Sequence, residues 1–437
     1  MVIRVAPTRY QFNCNAPIVE AGARVHTLQC SSPVPPSHRE STLSIDIRHR
    51  RLLPLLIAGL ATIGPFTIDT YLPSFPAIAL EMQTTEVLVQ QTLTAYLIPF
   101  AVMMLFHGAI SDAVGRRPVI LFGVGGFVIA SIGCALATNM TMLLVCRALQ
   151  GLVAGAGTSL SRAVVRDAYQ GVEAQRLLSR VMLLFSIAPA IAPVIGGWLQ
   201  TWLGWRAIFW FLALFGAVLL VACYRYLPET HPVSARERFA PAPLLAAYRL
   251  VALNPRFLLL AGVSSFGFAG FFLYVLSAPA FIYRHLGLTA HDFAWLFMAG
   301  VIGMVLGAYL SGRLAGRLSP HRTVWLSFAI MFVGAAYNNL FYIWFSPQLP
   351  WSVLHQVIVA TGMAMAMPSL TLMLLDLFPR NRGMAASLQS SVQSMVAGFV
   401  AAIASPLFST SAATMAFGAL LFAFAALGLW LIYIRQD

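Results

Sequence analysis

One acidic residue lies in the first apolar stretch of this 437-residue chain, and its depth gives it chemical interest. The stretch runs from Leu52 to Leu80, and Asp69 is the only acid in it. About 29 residues of helix extend roughly 44 Å, which is enough to cross a bilayer. An ionised carboxylate at that depth is costly unless it is paired, hydrated or protonated, so Asp69 is a candidate proton carrier. The alternative is a carboxyl group that only bonds a neighbouring helix.

Residues that weaken a helix surround this carboxyl group. Gly64, Pro65, Pro73 and Pro76 all lie within a few residues of Asp69. They weaken the backbone hydrogen-bond ladder, which membrane helices tolerate where they line a cavity rather than face lipid. The sequence therefore predicts a weakened helix beside a cavity at this position.

A second charged residue is placed within an apolar block, in the run Cys146-Arg147-Ala148-Leu149-Gln150-Gly151. At the predicted depth of Arg147 a charge has to be paired or hydrated, which makes it a candidate functional residue. The alternative is a side chain that extends along the helix to the membrane surface. Gly151 and Gly155 are four residues apart and can admit a close helix neighbour.

These residues belong to a polytopic membrane protein. The chain is 59% hydrophobic and only 9% charged, with a mean hydropathy of +0.80, and no soluble domain has that composition. About twelve apolar blocks follow one another, which predicts an all-α membrane protein with twelve transmembrane helices in two six-helix bundles. We place the first bundle at 51–227, a cytoplasmic linker at 228–255 and the second bundle at 256–437.

The net charge of +13 reports topology rather than nucleic-acid binding. Every basic residue is Arg, and with a cytoplasmic N-terminus nearly all of those between the apolar blocks fall on the inner side. Only Arg206 and Arg284 fall in the outer loops. This positive-inside pattern predicts that both termini are cytoplasmic and argues against a nucleic-acid partner.

The first 50 residues carry no feature of either bundle. Residues 1–46 are rich in Pro, Ser and Arg and lack the apolar core of a signal peptide. We expect 1–50 to form a disordered cytoplasmic segment, unless the start codon has been assigned too far upstream. The five cysteines have no paired spacing, so we expect neither a disulfide nor a metal site.

The loop after the second apolar block has a distinctive spacing, Gly108-x-x-x-Asp112-x-x-Gly115-Arg116-Arg117. Two glycines fit a tight turn where helices approach closely, and Asp112 can cap the next helix. This pattern resembles the loop between helices 2 and 3 of major facilitator superfamily transporters. The resemblance implies a conformational gate in which Arg116 pairs with Asp167 at the end of the fourth block.

Two further motifs narrow the resemblance. Arg147-x-x-Gln150-Gly151 is similar to a helix 4 motif of proton-coupled members, in which the arginine is associated with proton transfer. The fifth block resembles the antiporter motif of drug exporters in its residues Pro189, Pro193, Gly196 and Gly197. With Ile68-Asp69-Thr70-Tyr71-Leu72-Pro73, these motifs are similar to the Bcr/CflA family of drug/proton antiporters. The chain departs from that family at Met104, where a glutamine is common, and this puts the substrate preference in doubt.

The resemblance implies a multi-pass, monomeric transporter of a bacterial inner membrane that exchanges amphiphilic small molecules for protons and needs no cofactor. Soft and aromatic side chains are candidates for the substrate cavity, since methionine repacks around varied ligands. We select Tyr71, Tyr96, Phe271, Met363 and Met367. In the second half, Asp376 lies close to Arg380 and Arg382 and is expected to form an interfacial salt bridge rather than a proton site.

Other functions stay open at this point. A metabolite or siderophore exporter would share the same fold. A membrane enzyme would need a cluster of His, Asp or Glu, and the nearest set is His285, His291 and Asp292, whose spacing does not suit a metal. A receptor that transports nothing would produce no pH change when substrate is added to vesicles.

Overall fold

The structure is a computed structural model that describes residues 47–169, 171–236, 239–379 and 381–436. In these ranges, twelve segments are long and apolar enough to cross a membrane, as the sequence predicts. Their bounds are Leu52–Glu81, Glu86–Val114, Arg116–Ala135, Met140–Ala168, Glu173–Leu203, Arg206–Tyr226, Pro255–Leu276, Ala290–Leu314, Pro320–Trp344, Trp351–Asp376, Arg382–Phe408 and Ala412–Gln436.

The α-helices that form these spans are numbered in chain order. They are α1 (Ile47–Asp69), α2 (Phe75–Glu81), α3 (Glu86–Val114), α4 (Arg116–Ala135), α5 (Met140–Ala168), α6 (Gly171–Leu203), α7 (Arg206–Tyr226), α8 (Pro241–Ala252), α9 (Pro255–Leu276), α10 (Phe293–Leu314), α11 (Pro320–Trp344), α12 (Trp351–Asp376), α13 (Arg382–Phe399), α14 (Ser405–Phe408) and α15 (Ala412–Gln436). Six spans precede α8 and six follow it.

An even number of spans brings the start of α1 and the end of α15 to the same end of the bundle, here named the terminal end. At that end the Arg256 guanidinium donates to the Gln436 carbonyl oxygen at 2.6 Å. The opposite end is named the distal end. Helix α1 begins at Ile47, inside the segment 1–50 that we expect to be disordered. The rest of that segment, 1–46, lies outside the described residues.

Local sequence fixes where several spans begin. Thr85, Asn139, Asn254 and Ser319 each accept a hydrogen bond from the backbone N–H three residues further on. Such caps satisfy N–H groups that have no partner within the helix. The apolar blocks therefore become helices with defined starts, and packing then decides which face is buried.

The linker between the two bundles contains an α-helix of its own, α8. In α8, Tyr248 and Val251 are buried against the second half, whereas Leu245 and Leu250 are exposed. The Tyr248 hydroxyl donates to the carbonyl oxygen of Leu105 in α3 at 2.8 Å, and burial raises the pKa of the Tyr248 phenol. The linker helix thus connects the second half to the second span of the first half.

Asp376 lies where the sequence places it, in a surface pair. Its carboxylate is 3.1 Å from the Arg382 guanidinium, and the two side chains are 68% and 60% exposed. Exposed pairs of this kind contribute little to stability. The expectation of an interfacial salt bridge is confirmed.

Candidate functional site

The first span is interrupted at Asp69. Helix α1 ends at this residue, a short 3-10 turn covers Leu72–Ser74, and α2 then completes the crossing. Asp69 is 4% exposed. Proline and glycine on both sides explain why the hydrogen-bond ladder stops here rather than elsewhere in the span. The weakened helix predicted from the sequence is therefore a break, and a carboxyl group lies at it.

Arg147 is fully buried next to that break. Its Nη1 donates to the Gln150 Oε1 at 2.8 Å and to the Thr67 carbonyl oxygen at 3.3 Å. Its guanidinium carbon lies 4.9 Å from the ring centre of Tyr71 and 4.8 Å from that of Tyr96, within the range of cation–π attraction. These contacts hold the charge inside the first half, so the side chain does not extend to the membrane surface.

Gln150 links this cation to the third span. Its Nε2 donates to the Ser131 hydroxyl at 2.7 Å while its Oε1 accepts from Arg147. Gly151 allows the approach, since a Cβ there would meet the backbone of Tyr96. The motif residues around Arg147 thus hold one rotamer of the arginine and bring α5 against α3.

Asp69 and Arg147 do not form an ion pair. Among the described residues, no hydrogen bond or salt bridge is formed by the Asp69 carboxyl group. Tyr96 lies close enough to interact electrostatically with both groups. The Nε and Nη2 atoms of Arg147 are buried without a hydrogen-bond partner. The first half therefore holds a buried carboxyl group without donors and a buried guanidinium with two unused N–H positions, both close to Tyr96.

The antiporter-motif glycines bring α6 into backbone contact with this break. A Cβ at Gly196 would overlap the carbonyl oxygen of Thr70, the residue after Asp69. A Cβ at Gly197 would overlap the carbonyl oxygen of Ala290, which belongs to the second half. Only glycine permits both contacts. Helix α6 is thus packed between the Asp69 break and the start of the eighth span.

Polar contacts join the two halves at the distal end. Gln91 Nε2 donates to the Ala402 carbonyl oxygen at 3.1 Å, and Gln90 donates to the Ser405 hydroxyl. Arg284 pairs with Glu86 at 3.1 Å. Together with the contact between Gly197 and Ala290, these contacts form what we name the distal seal. The seal closes the distal end above Asp69.

The predicted gate residues meet at the terminal end of the first half. Arg116 Nε lies 3.1 Å from Asp167 Oδ2, and Arg116 Nη1 lies 2.6 Å from Asp112 Oδ1. The same guanidinium donates to the Ser111 hydroxyl. Helices α3, α4 and α5 are therefore tied together around Arg116, and the contact predicted between Arg116 and Asp167 is present.

A residue outside the predicted set completes this cluster. The Glu229 carboxylate accepts from the backbone N–H of Arg116 at 2.9 Å and of Arg117 at 3.3 Å. It thereby caps α4 from the segment that follows α7. Gly115 allows this geometry because its φ is +113°, and a Cβ there would overlap the carboxylate. The only sequence signal was an acid in a strongly basic region.

Gly108 does not occupy a tight turn or a close helix contact, and that expectation is wrong for the state described. It lies inside α3, and a Cβ at this position would meet no atom within 4 Å. Helix α3 continues to Val114, so Asp112 lies inside it and pairs with Arg116 instead of capping α4, and Gly115 alone separates the two helices.

We expect Glu229→Gln to lower the stability of the purified protein. A carboxylate at a helix N-terminus contributes about 0.3–2 kcal/mol, which corresponds to a fall of a few degrees in the melting temperature. The measurement is thermal unfolding in detergent, with Asp376→Asn as the matched control because that acid forms an exposed pair. Equal melting temperatures for the two variants would contradict the role assigned to Glu229.

The five residues selected for a substrate cavity do not come together. Tyr71 and Tyr96 are fully buried against Arg147, and Phe271 packs against Gly300 of α10. Met363 and Met367 do line one small apolar pocket, inside the second half among α9, α11 and α12. The selection rested on residue type, which cannot tell which face of each helix points to the centre.

Over the ranges that the structure describes, no group of three or more His, Cys, Asp or Glu side chains could hold a metal ion. In the set considered for an enzyme, which was His285, His291 and Asp292, two residues contact separate partners. His285 Nε2 is 2.9 Å from the Ser409 carbonyl oxygen, and Asp292 accepts from Thr289 in a helix cap. These contacts account for His285 and Asp292 without a catalytic role.

Known proteins resemble the chain over most of its length. The family model described as Major Facilitator Superfamily matches residues 55–337 and 260–437. The chain is 30% identical to the multidrug resistance protein D of Escherichia coli K12 over 366 residues, which is 82% of this chain and 89% of that protein. It is 30% identical to the chloramphenicol resistance protein of Pseudomonas aeruginosa over 313 residues, 71% of this chain and 74% of that protein.

A solved structure supports the fold. The crystal structure of a D-xylose–proton symporter superimposes with a TM-score of 0.67 over 87% of this chain and 97% of that one. The sequences are 16% identical, so this likeness concerns the arrangement of the helices alone.

Proposed function

This chain is a multi-pass membrane protein of the major facilitator superfamily, of the Bcr/CflA drug transporter type, and we propose that it exports drug-like amphiphilic compounds in exchange for protons. It is a transporter and not an enzyme. One observation carries the proton coupling. A buried carboxyl group without an ion pair lies at the break of the first span, and a guanidinium with unused donors contacts the same span at Thr67.

The proposal includes an orientation. The arginines collect at the terminal end, so that end faces the cytoplasm of a bacterial inner membrane and both termini are cytoplasmic. The distal seal then closes the periplasmic side, and the conformation described is one from which Asp69 exchanges protons with the cytoplasm. The protein acts as a monomer, without a cofactor or a nucleic-acid partner.

Proton exchange follows from the two charges. When Asp69 is protonated it is neutral and needs no cation, so the broken first span keeps the arrangement described. When the proton leaves, the Asp69 carboxylate attracts the unused Nε and Nη2 of Arg147. Asp69 is two residues after Thr67, whose carbonyl oxygen already accepts a hydrogen bond from Arg147. This movement bends the broken span, which is easier than bending a continuous helix. Drug and proton thus favour different states of one site.

The cluster around Arg116 acts as the gate on the cytoplasmic side in this proposal. Its ion pairs lie within the first half, so it keeps that half rigid while the halves separate. Soft residues such as Met363 and Met367 are proposed to accept apolar parts of the substrate when the halves rearrange. The resemblance to proteins named for multidrug and chloramphenicol resistance supports this substrate class.

The test uses everted membrane vesicles with an acidic interior. We expect that adding chloramphenicol or an amphiphilic dye raises the luminal pH, because protons leave as the compound enters. The measurement is the recovery of a quenched pH-sensitive dye, with vesicles that lack the protein as the control. A protein that moves only endogenous metabolites would give no signal with the drug panel, and a receptor would give none with any compound.

A further inference from the structure

A second buried polar network lies in the other half of the molecule. Tyr274 of α9, Asn338 of α11, and His355 and Gln356 of α12 are each at most 2% exposed. The Asn338 Nδ2 donates to the Tyr274 hydroxyl at 2.8 Å, and the rings of Tyr274 and His355 lie 4.3 Å apart. Polar groups so deep in an apolar bundle are costly unless they have a function or full hydrogen bonding.

The hydrogen bonds assign the state of the His355 ring. Its Nδ1 is 2.9 Å from the Ser352 carbonyl oxygen, which can only accept, so Nδ1 carries the hydrogen. In the neutral ring Nε2 is then an acceptor, and it is buried without a partner. This is an unused basic nitrogen inside the membrane span.

The neighbouring glutamine also has an unused acceptor. Gln356 Nε2 donates to the Phe271 carbonyl oxygen at 3.2 Å, which leaves its Oε1 as an acceptor. That oxygen is also buried without a partner. His355, Gln356 and Asn338 line one pocket, closed on the other side by Ala419 and Ala423. Two buried acceptors with no donor are costly, and a ligand that supplies a hydrogen would remove that cost.

The network has a counterpart in the first half. There a basic residue and a glutamine, Arg147 and Gln150, lie on the fourth span, and Ser131 of the third span completes the network. In the second half, His355 and Gln356 lie on the fourth span of that half, and Asn338 lies on its third. Each half also contributes a tyrosine from its first span, Tyr71 and Tyr274. Equivalent positions in two halves are expected of a repeat.

We propose that His355 is a second proton-binding site, whose occupancy changes during the transport cycle. Protonation turns Nε2 into a donor, and the unused Gln356 Oε1 in the same pocket is the acceptor for it, directly or through one water. The first half thus carries a permanent cation at Arg147, whereas in the second half His355 becomes a cation only when it binds a proton. The coupling to transport rests on the proposed antiport, whereas the protonation itself does not.

No fixed charge competes at this pocket. Among the residues that line the pocket, His355 is the titratable one. The titratable groups that face it from packed helices are tyrosines, namely Tyr274 from α9 and, next to that hydroxyl, Tyr342 from α11 with its neighbour Tyr337. Tyrosines are neutral near pH 7, so a proton on His355 meets neither a countercharge nor a repelling charge. Burial therefore favours the neutral ring in the conformation described, and protonation belongs to a state of the cycle in which water reaches the pocket.

The first experiment measures protonation directly. The protein is labelled with ¹⁵N in its histidine rings, reconstituted in lipid nanodiscs and studied by NMR between pH 8 and pH 5, with the His355 signals assigned from their loss in His355→Gln. We expect an Nδ1–H ring with a free Nε2 at pH 8, and a protonated Nε2 by pH 5. In Gln356→Leu, which removes the acceptor, the transition should move to lower pH.

The second experiment measures coupling. In proteoliposomes with set gradients, His355→Gln should lower the number of protons exchanged per drug molecule by one, while drug transport continues. His285→Gln is the matched control, since that ring is bonded to the Ser409 carbonyl oxygen outside the network. Thermal unfolding of both variants reports whether each remains folded, and His355→Asn provides a second replacement if the glutamine variant is unstable.

The outcomes separate the possibilities. A Nε2 that stays unprotonated to pH 5 would mean that the pocket holds only a water molecule, and would overturn the proposal. Titration with an unchanged proton count would overturn the coupling of this site to transport. If the wild-type protein moves no drug in any vesicle, the proposed function fails, and the NMR titration still decides whether His355 binds a proton.

Discussion

Replacing Asp69 with Asn should abolish proton-driven drug accumulation while leaving the protein folded. Asparagine has nearly the same shape but cannot take up or release a proton in this pH range. Each coupled proton sustains about a tenfold drug gradient per pH unit. The proposed movement of the broken span starts at the Asp69 carboxyl group, so a proton on His355 alone cannot drive the cycle, and a two-unit pH gradient should support no accumulation in the variant. The measurement is uptake into vesicles as a function of the imposed pH gradient.

The control separates coupling from binding. Drug-for-drug exchange without a pH gradient should continue in Asp69→Asn, because the substrate still binds and the halves still rearrange. Asp376→Asn should behave as wild type, since its acid lies in an exposed pair at the terminal end. Accumulation against a gradient by Asp69→Asn would refute the assignment of this carboxyl group as the proton site.

Adding a methyl group at Gly196 or Gly197 should reduce efflux by more than tenfold. At Gly196 the new Cβ would overlap the Thr70 carbonyl at the Asp69 break, and at Gly197 it would overlap the Ala290 carbonyl across the two halves. Overpacking against backbone costs about 1–3 kcal/mol. A cost of about 1.4 kcal/mol changes a conformational equilibrium tenfold. Gly197→Ala should therefore favour an open distal seal.

The opening can be measured between two exposed positions at the distal end. Spin labels at Leu80 and Leu407, which are 82% and 63% exposed, report the separation of the halves in a cysteine-free background. We expect Gly197→Ala to add a population at longer distance. Gly125→Ala is the matched control, because its nearest contact would be Leu220 at 3.9 Å, an ordinary distance. The same distribution in both variants would contradict the role of the contact with Ala290.

The sequence predicted the spans, the helix weakness at Asp69 and the contact between Arg116 and Asp167. Each of these depends on local composition or on a motif with fixed spacing. It did not predict that Glu229 caps α4, because 113 positions separate Glu229 from Arg116. It also grouped Tyr71 with the substrate cavity, whereas packing places that ring on Arg147. A residue type gives the chemistry of a side chain but not its neighbours.

The twelve crossings were determined by the sequence alone, because lipid offers no hydrogen bonds and every long apolar stretch must satisfy its backbone as a helix. The break at Asp69 follows in part from the same rule, since proline removes bonds wherever it stands. Only the tertiary structure decided which buried polar groups meet. Gln90 and Ser405 are 315 positions apart, and His355 and Gln356 acquire their unused acceptors from the rotation of α12 against three other helices. That rotation is set by side-chain packing over the whole bundle, which no single stretch of sequence contains.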